Sequence, residues 1–508
     1  MTRRSLPTVL LPLVLLLLGT CTDADPGTGS PPEGPLAACG TCHVAPDPGS
    51  LPRAVWERTV LPEMGARMGM ASMGYDPAGR LPPGEYALAR AHGFYPPAPT
   101  LPLAEWEALR RYILDRAPDT LAAPPPLPLA PLESFAARPF AVEDRGGALI
   151  SYLGRGPDGL VAGDGYGRVV TDVLSGDTLP RRSVRLPVVH YLPSPCGDLL
   201  LEIGNIYPTE ARNGKLYRYH GDVPRVIADS LHRPVHLLEE DLDGDGQREI
   251  VVSEYGNYSG ALTLLKPAGD GHYTRTRLLG LPGCTRTVAT DLDGDGRTDL
   301  VVLHAQGDEG IDALYQRADG SFQRELLLRF PPVWGTSWFE LADVDGDGHR
   351  DLITVHGDNA DYSPLRKPYH GLRIHLNDGA NAFHEAFFLP LPGATRVVAR
   401  DFDADGDLDL SVACNFADYG KQPDASFVYL ERTGAPHDFD FTARTTPLAL
   451  DGRWLILEAD DYDGDGDIDM ALGSFTLNSN ALPIAITLRW RDGRTDGLFL
   501  ENLLRPAR

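Results

Sequence analysis

The chain is long and acidic. It has 508 residues, more than a single hydrophobic core usually holds, so we expect at least two domains. Its 71 acidic and 46 basic residues give a formal net charge of −25 at pH 7. Such a charge repels the phosphate backbone, which excludes nucleic acid as a partner and leaves solubility or bound cations as its explanation.

Residues 1–20 are typical of a signal peptide. Two arginines precede an apolar run, Val9 to Leu18, that is too short to span a bilayer. We therefore expect an exported protein of the periplasm or cell envelope. The residues LGT before Cys21 are similar to a bacterial lipoprotein cleavage box. This similarity implies lipidation of Cys21 and a membrane anchor, and the alternative is ordinary cleavage that leaves a soluble periplasmic protein.

Two segments have the composition of linkers. Residues 21–35 are short of hydrophobic side chains, and residues 121–134 are rich in proline, which favours a semi-rigid spacer. Between them, residues 36–120 show helical patterning; one predicted helical face carries Leu103, Trp106, Leu109, Tyr112 and Ile113. Residues 135–505 instead contain short β-rich runs separated by glycine and aspartate. The sequence therefore predicts a multidomain protein, with a small all-α domain followed by an all-β domain.

A CxxCH motif lies at the start of the predicted helical domain. Its spacing lets Cys39 and Cys42 bond the two vinyl groups of a haem while the imidazole of His43 reaches the iron. The alternatives are a chance pair of thiols or part of a zinc site. A zinc site would need a second pair of ligands nearby, and the sequence offers none. The motif therefore predicts covalently bound haem c.

The sixth iron ligand has several candidates. Met64, Met68, Met70 and Met73 are clustered in the segment VLPEMGARMGMASMG. Met64 is favoured because it follows a helical run and because the adjacent proline and glycine suit a loop folding over the porphyrin. Met68 is the second choice, and His92 is the histidine alternative. A methionine ligand would raise the reduction potential relative to two histidines.

These features together resemble a small class I cytochrome c. The resemblance covers about residues 36–120 and consists of CxxCH near the start, a methionine loop and a closing helix with Tyr112. It implies electron transfer to and from a redox partner protein.

The β-rich region contains an internal repeat. Five acidic loops of the form DLDGDG begin at Asp241, Asp291, Asp343, Asp401 and Asp461, in steps of 50, 52, 58 and 60 residues. This period is typical of a four-stranded propeller blade. Residues 135–232 leave room for two more units that lack the acidic loop. We therefore predict an all-β propeller of seven blades, with six or eight as alternatives.

Each acidic loop has carboxylates at its positions 1, 3, 5 and 9 and glycine at position 6. Hard oxygen ligands at this density suit calcium, and the backbone carbonyl at position 7 would complete each set. No loop has the glutamate that an EF-hand places at position 12. The predicted calcium ligands are Asp241, Asp243, Asp245, Glu249, Asp291, Asp293, Asp295, Asp299, Asp343, Asp345, Asp347, Asp351, Asp401, Asp403, Asp405, Asp409, Asp461, Asp463, Asp465 and Asp469.

The repeats closely resemble the FG-GAP or VCBS repeats of integrin-like β-propellers. The resemblance covers about residues 232–480 and rests on the acidic loops and their strand-like flanks. It implies a structural role for the calcium. The alternative is that the loops are solvated and hold no ion.

Polar residues gather where the opposite face of the propeller is expected. The loops QGDEG, GDNADYS and KPYHG supply carboxylates, imidazoles and a lysine. We expect a polar pocket there for a small polar ligand or a protein partner, with Asp308, Glu309, Asp358, Lys367 and His370 as its candidates. The alternative is that these side chains pair with one another and close the propeller.

Three functions are compatible with this organisation. The favoured one is electron transfer, with haem c as the carrier and the propeller as a binding module. The second is a redox enzyme that oxidises a small polar substrate in the propeller pocket and passes electrons to the haem. The third is adhesion or scaffolding by the propeller, which leaves the haem motif unexplained. Cys196, Cys284 and Cys414 are too far apart in sequence to indicate a disulfide.

Overall fold

The computed structural model describes residues 34–70, 74–142, 147–176, 182–359, 365–434, 438–477 and 482–505. The predicted signal peptide, Cys21, nearly all of the first linker and Met73 lie outside these residues. No helix within the described ranges has the length and apolar character needed to cross a membrane. The described part consists of an amino-terminal helical segment, residues 34–116, and a seven-bladed β-propeller.

Every regular element in the described part of residues 34–116 is a helix. The helices are Gly34–Thr41, Pro48–Ser50, Arg53–Val55, Trp56–Val60, Leu61–Arg67, Pro77–Arg80, Pro83–Ala91 and Leu103–Arg116. The predicted apolar face of the last helix is confirmed for Trp106, Leu109 and Ile113, which are buried against Trp56. The prediction is wrong for Leu103, which is 61% exposed because it opens the first turn beyond the core.

Met64 lies in a helix, so its prediction as part of a loop is wrong. Helical backbone runs without a break from Arg53 to Arg67. A π turn, in which the N–H of Leu61 bonds to Trp56, directly precedes Pro62, and such a turn lets a helix continue past a proline. Gly65 also serves packing, since a Cβ there would lie 2.9 Å from the Trp106 ring.

Seven sheets form the propeller, and the prediction of seven blades is confirmed. In chain order the blades are: one, Ile150–Gly156, Gly159–Asp164, Arg168–Val170 and Arg182–Ser183; two, Val188–Leu192, Asp198–Glu202, Gly214–His220 and Val223–Leu231; three, Pro234–Glu240, Glu249–Glu254, Ala261–Pro267 and Tyr273–Leu279; four, Cys284–Thr290, Asp299–Gln306, Asp308–Gln316 and Phe322–Phe330; five, Thr336–Ala342, Asp351–His356, Gly371–Asn377 and Phe383–Pro390; six, Arg396–Arg400, Asp409–Ala413, Phe427–Arg432 and Phe441–Thr445; seven, Trp454–Asp460, Asp469–Ser474, Gly497–Asn502 and Phe135–Phe140.

Within each blade the first strand faces the central channel. The first strands of neighbouring blades contact one another around a closed ring. Short helices at Val173–Ser175, Pro423–Ser426, Pro447–Asp451 and Ile484–Gly493 lie between strands. The acidic loops join the first and second strands of blades three to seven, so they all lie at one end of the propeller.

Both ends of the β-rich region contribute to blade seven. Phe135–Phe140 pairs antiparallel with Gly497–Asn502, which closes the ring. Part of the predicted proline-rich linker also belongs to the propeller surface. Ala130–Pro131 adds a parallel strand to blade six, and Leu127 exchanges two hydrogen bonds with the Gln422 side chain, of 3.0 and 2.6 Å. The linker is therefore fixed to the propeller from about residue 127 onward.

Candidate functional sites

The five acidic loops bring carboxylates together. In each loop, oxygen atoms of three acidic side chains lie within 4.8 Å of one another. The sets are Asp241, Asp243 and Glu249; Asp291, Asp293 and Asp295; Asp343, Asp345 and Asp347; Asp401, Asp403 and Asp405; and Asp461, Asp463 and Asp465. The aspartate at position 1 shapes the turn. In the first loop, Asp241 accepts hydrogen bonds from the backbone N–H groups of Asp245 and Gly246, at 3.1 and 3.0 Å.

The acidic residue at position 9 of each loop is buried at the start of the second strand. Asp299 is typical of this group. One oxygen accepts the N–H of Leu292 at 3.0 Å, within the loop, and the other accepts the N–H of Gln316 at 2.8 Å, on the third strand. In blade three, Glu249 bonds Leu242 through one oxygen, and Oε1 has no hydrogen-bond partner among the described residues. These carboxylates join the loops to the sheets.

In the last two acidic loops, burial and neighbouring charges disfavour the ionised form of some carboxylates. Burial raises the pKa of Asp409 to about 6 and that of Asp469 to about 7, and neighbouring aspartates add to both shifts. Burial and the charge of Asp405 also raise the pKa of Asp403. A bound cation would remove this cost, because it favours the ionised form of every carboxylate around it. The donor set, all carboxylate oxygen with backbone carbonyls nearby, fits calcium.

The CxxCH motif lies at the end of the first helix of the helical segment. Cys39 is half-buried, Cys42 is exposed, and both are free thiols. The Nδ1 atom of His43 is 2.8 Å from the carbonyl oxygen of Val44, which fixes the ring and leaves Nε2 as the atom able to bind a metal. Burial lowers the pKa of His43, so the ring is neutral, as ligation requires. Two thiols and an oriented imidazole fit the covalent attachment of haem c.

Three of the four methionines predicted as ligands share one apolar core with Cys39 of the motif. Cys39, Met64 and Met68 pack against the same small core, and Met70 is buried within it. His92 does not join them. It is exposed at the end of the helix Pro83–Ala91 and lines a separate cavity against the propeller.

The five residues predicted to form a pocket on the opposite face are mostly engaged inside the protein. Glu309 accepts hydrogen bonds from the N–H and hydroxyl groups of Thr336, at 2.9 and 2.7 Å. Asp308 forms an ion pair with Arg329 at 2.8 Å. Lys367 and His370 are buried, and the backbone N–H of Asp358 bonds to Gly335. These contacts favour the alternative in which the side chains close the propeller; of the five, His370 alone lines the cavity of about 300 Å³ found on this face among the described residues.

The helical segment covers part of this same face, which the sequence did not indicate. The hydroxyl of Tyr369 donates to the carbonyl of Ser50 at 2.8 Å, and the hydroxyl of Thr209 donates to Glu85 at 2.5 Å. Val333 packs against the core of the helical segment. The charges of Asp308 and Arg329 act on His43, so the CxxCH motif faces the propeller.

A ring of polar and aromatic side chains lines the central channel. His236, Arg286, Trp338 and Arg396 occupy equivalent positions on the first strands of blades three to six. Tyr152 and His190 occupy this position in blades one and two. In the sequence, the residue five places before each of the first four acidic loops marks this position, but blades one and two lack such a loop, so nothing in the sequence marks Tyr152 and His190.

Residues 241–302 and 291–354 match the family model described as the FG-GAP-like repeat. The propeller therefore contains FG-GAP repeats. No curated protein matches the sequence. Similar solved structures include the N-terminal domain of Nup159, which is 13% identical with a TM-score of 0.41, the alignment covering 75% of this chain and 98% of that one. Another is BBS1N in complex with ARL6DN, 11% identical with a TM-score of 0.44, covering 74% and 98%. Similarity at this level carries no argument about function.

Proposed function

We propose that this protein is an exported electron-transfer protein that carries haem c on its helical segment and uses a calcium-stabilised propeller as a binding module for a partner or ligand. The observation that carries the proposal is the CxxCH motif, in which the bond from His43 to Val44 orients the imidazole and Cys39 packs against the same apolar core as Met64 and Met68. Export and a lipid anchor on Cys21 belong to the same proposal.

Each residue of the proposed haem site has a distinct role. Cys39 and Cys42 would hold the haem through two thioether bonds, and Nε2 of His43 would bind its iron. Met64 is the first candidate for a second iron ligand, and Met68 is the second candidate. When bound, haem c supplies reversible one-electron transfer, and the surrounding core of Trp56 and its neighbours excludes water from one side of the site.

The propeller gives this site a rigid support. Its FG-GAP architecture fits a ligand-binding or scaffold module. Calcium in the acidic loops would offset the burial and the neighbouring charges that raise the pKa of Asp409 and Asp469, and so would stiffen the end of the propeller that lies away from the helical segment.

The axial ligand is tested by substitution in the full chain, expressed in a host that attaches haem c. We expect Met64→Ala to abolish the methionine–iron absorption band and to lower the reduction potential, and Met470→Leu, at a buried methionine of blade seven, to leave both unchanged. Loss of the band in Met68→Ala instead would assign Met68. A wild-type protein that shows no haem spectrum under these conditions would contradict the proposal.

A redox enzyme is the second candidate. It is favoured by the cavity of about 300 Å³ lined by His370, Arg366 and Arg453 on the face that also carries the helical segment. A panel of carbohydrates and alcohols, mixed with the oxidised protein, separates the two functions. Reduction of the haem by one substrate would support the enzyme, and the absence of reduction across the panel would support electron transfer.

A further inference from the structure

A second and larger cavity, of about 600 Å³, lies between the helical segment and blades two and three. His92 and Phe94 line it from the helical segment, and Arg212, His232, Arg275 and Arg277 line it from the propeller. A volume of this size is typical of sites for small organic ligands. We propose that this cavity binds a small organic oxyanion, a carboxylate or a phosphate ester with an apolar body.

The charges around the cavity favour an anion. Its lining has three arginines and one glutamate. The carboxylate of Glu254 is 1% exposed and is already bound by the N–H of His232 at 2.7 Å, by Thr263 at 2.5 Å and by Arg275 at 2.7 Å. Its charge is therefore compensated inside the wall.

Two arginines of the cavity have their charge free for a ligand. Arg212 and Arg277 are exposed, and neither forms an ion pair or a side-chain hydrogen bond within the described part of the chain. Glu210, which lies behind the wall, is occupied by the N–H groups of Tyr258 and Ser259 and by the Ser259 hydroxyl. In a chain with a net charge of −25, such a local excess of guanidinium groups selects for an oxyanion, which arginine binds through paired hydrogen bonds.

The wall around His232 is held in place before any ligand binds. Ser230 and Arg233, on either side of it, have φ angles of +55° and +42°, which residues other than glycine rarely adopt. Arg233 is locked by a 2.7 Å hydrogen bond to the carbonyl of Gly256. The His232 ring is 3.0 Å from the Ser259 hydroxyl through Nδ1. Strained backbone of this kind is common at ligand-binding sites. Because the wall is already ordered, a ligand that binds there loses less free energy to the ordering of the protein.

The remaining wall of the cavity is apolar, so a ligand that fills the cavity needs an apolar body as well as a charged group. Phe94 and Tyr258 contact edge to face, with ring centroids 5.1 Å apart, and Leu281 and Pro282 continue the surface. A ring or short hydrocarbon would cover these side chains while its oxyanion reaches Arg212 and Arg277. Because both parts of the protein line the cavity, such a ligand would also favour their docked arrangement. The inference does not depend on haem.

Isothermal titration calorimetry of the full chain in low-salt, phosphate-free buffer tests the site. The probes are phenyl phosphate, benzoate, inorganic phosphate and, as a cationic control, benzylamine. We expect phenyl phosphate or benzoate to bind and benzylamine not to bind. Arg212→Ala and Arg277→Ala should each weaken binding about tenfold or more, since each removes a charge-assisted contact. The matched control is Arg111→Ala. Arg111 is an exposed arginine of the helix Leu103–Arg116 that does not line the cavity, so its replacement should leave binding unchanged.

Phe94→Ala tests the apolar part, and should reduce affinity for phenyl phosphate more than for inorganic phosphate. Thermal unfolding of each variant confirms folding, and Arg277→Gln replaces Arg277→Ala if the latter is unstable. Absence of binding by both aromatic anions would overturn the proposal. So would equal affinities in the Arg277 and Arg111 variants, or binding of benzylamine as tight as that of phenyl phosphate.

Discussion

Individual buried carboxylates connect the acidic loops to the propeller core. Asp299, at position 9 of its loop, is 0% exposed, and its two oxygens each accept a backbone N–H from a different part of blade four. Buried backbone donors are costly to leave without an acceptor. The position 9 residue therefore contributes to folding even without a metal ion.

We predict that Asp299→Ala lowers the free energy of unfolding by about 2 to 4 kcal/mol, because the N–H groups of Leu292 and Gln316 lose their acceptors. Urea unfolding in the presence of EDTA measures this. The control is Asp295→Ala, an exposed carboxylate in the same loop, for which we expect a much smaller change without calcium. Equal losses in the two variants would show that Asp299 has no separate structural role.

Histidines in the central channel make stability depend on pH. The ring centroids of His190 and His236 are 5.1 Å apart, and Arg286 and Arg396 lie nearby. Burial, followed by these two arginines, lowers the pKa of His190 to about 3. An unfolded histidine titrates near pH 6.5, so between about 6.5 and 3 the unfolded chain binds a proton that the folded chain excludes. Stability is therefore lost as the pH falls below 6.5.

We predict that His190→Gln reduces this loss. This one residue can lower the free energy of unfolding of the wild type by at most about 1.4 kcal/mol per pH unit, the value for the uptake of one proton. Urea unfolding at several pH values from 7.5 to 4.5 gives the slope for each protein. His272→Gln, an exposed histidine of blade three, is the control. Identical slopes for wild type and His190→Gln would contradict the prediction.

At the scale of the element, the acidic loop is a repeated unit that gathers carboxylates. The same three positions converge in four of the five loops, and Glu249 takes part in the other. Only blades three to seven have such loops. Blades one and two have short turns at this place, so the ring combines five blades that have an acidic loop with two that do not.

We predict that calcium raises the thermal unfolding midpoint and that EDTA reverses the increase. One site saturated at 100 times its dissociation constant adds about 2.7 kcal/mol of stability. Because the ligands bind when ionised, the gain should grow as the pH rises toward 7, the pKa of Asp469 without metal being about 7. Differential scanning calorimetry with calcium, and with magnesium for comparison, measures it.

A double substitution tests whether calcium binds in one particular acidic loop. Asp293→Asn together with Asp295→Asn should lower the calcium stoichiometry by one ion without unfolding blade four, because Asp299 keeps its bonds. A calcium-independent midpoint in wild type, or an unchanged stoichiometry in the double variant, would rule out metal binding in these loops.

At the scale of the whole molecule, two sets of contacts between distant parts of the chain fix where the CxxCH motif lies relative to the propeller. The strand Phe135–Phe140 closes the ring against the carboxy-terminal strand of blade seven. The helical segment docks on the face opposite the acidic loops, where Tyr258 contacts Phe94 and Tyr95 and lies under the guanidinium of Arg67. The docked arrangement sets which propeller residues the CxxCH motif meets.

We predict that Tyr258→Ala weakens docking by about 1 to 3 kcal/mol, since aromatic and cation–π contacts are lost together. Small-angle X-ray scattering should then show a larger radius of gyration, because residues 117–126 can act as a hinge before the chain is fixed at Leu127. Tyr207→Ala, a 60% exposed tyrosine of blade two, should leave the scattering unchanged. An unchanged profile for Tyr258→Ala would mean that other contacts hold the segment.

Local patterns predicted much of this molecule, and non-local contacts account for the rest. The acidic loops recur every 50 to 60 residues with carboxylates at constant positions, so they predicted five blades and their carboxylate clusters, and the length of chain upstream predicted two more. Met64 was assigned to a loop because the adjacent proline and glycine suit one, and the π turn that lets the helix continue past Pro62 has no sequence signature. The large cavity joins His92 with Arg212 and Arg275, which lie in three separate parts of the chain, and no periodicity relates such residues.

The most direct test of the account is mass spectrometry of the mature protein after expression with the haem attachment machinery. We predict that the peptide containing Cys39 and Cys42 carries the added mass of one haem, and that Cys39→Ala combined with Cys42→Ala removes it. The same peptide recovered from the wild-type protein with two unmodified thiols would contradict the account.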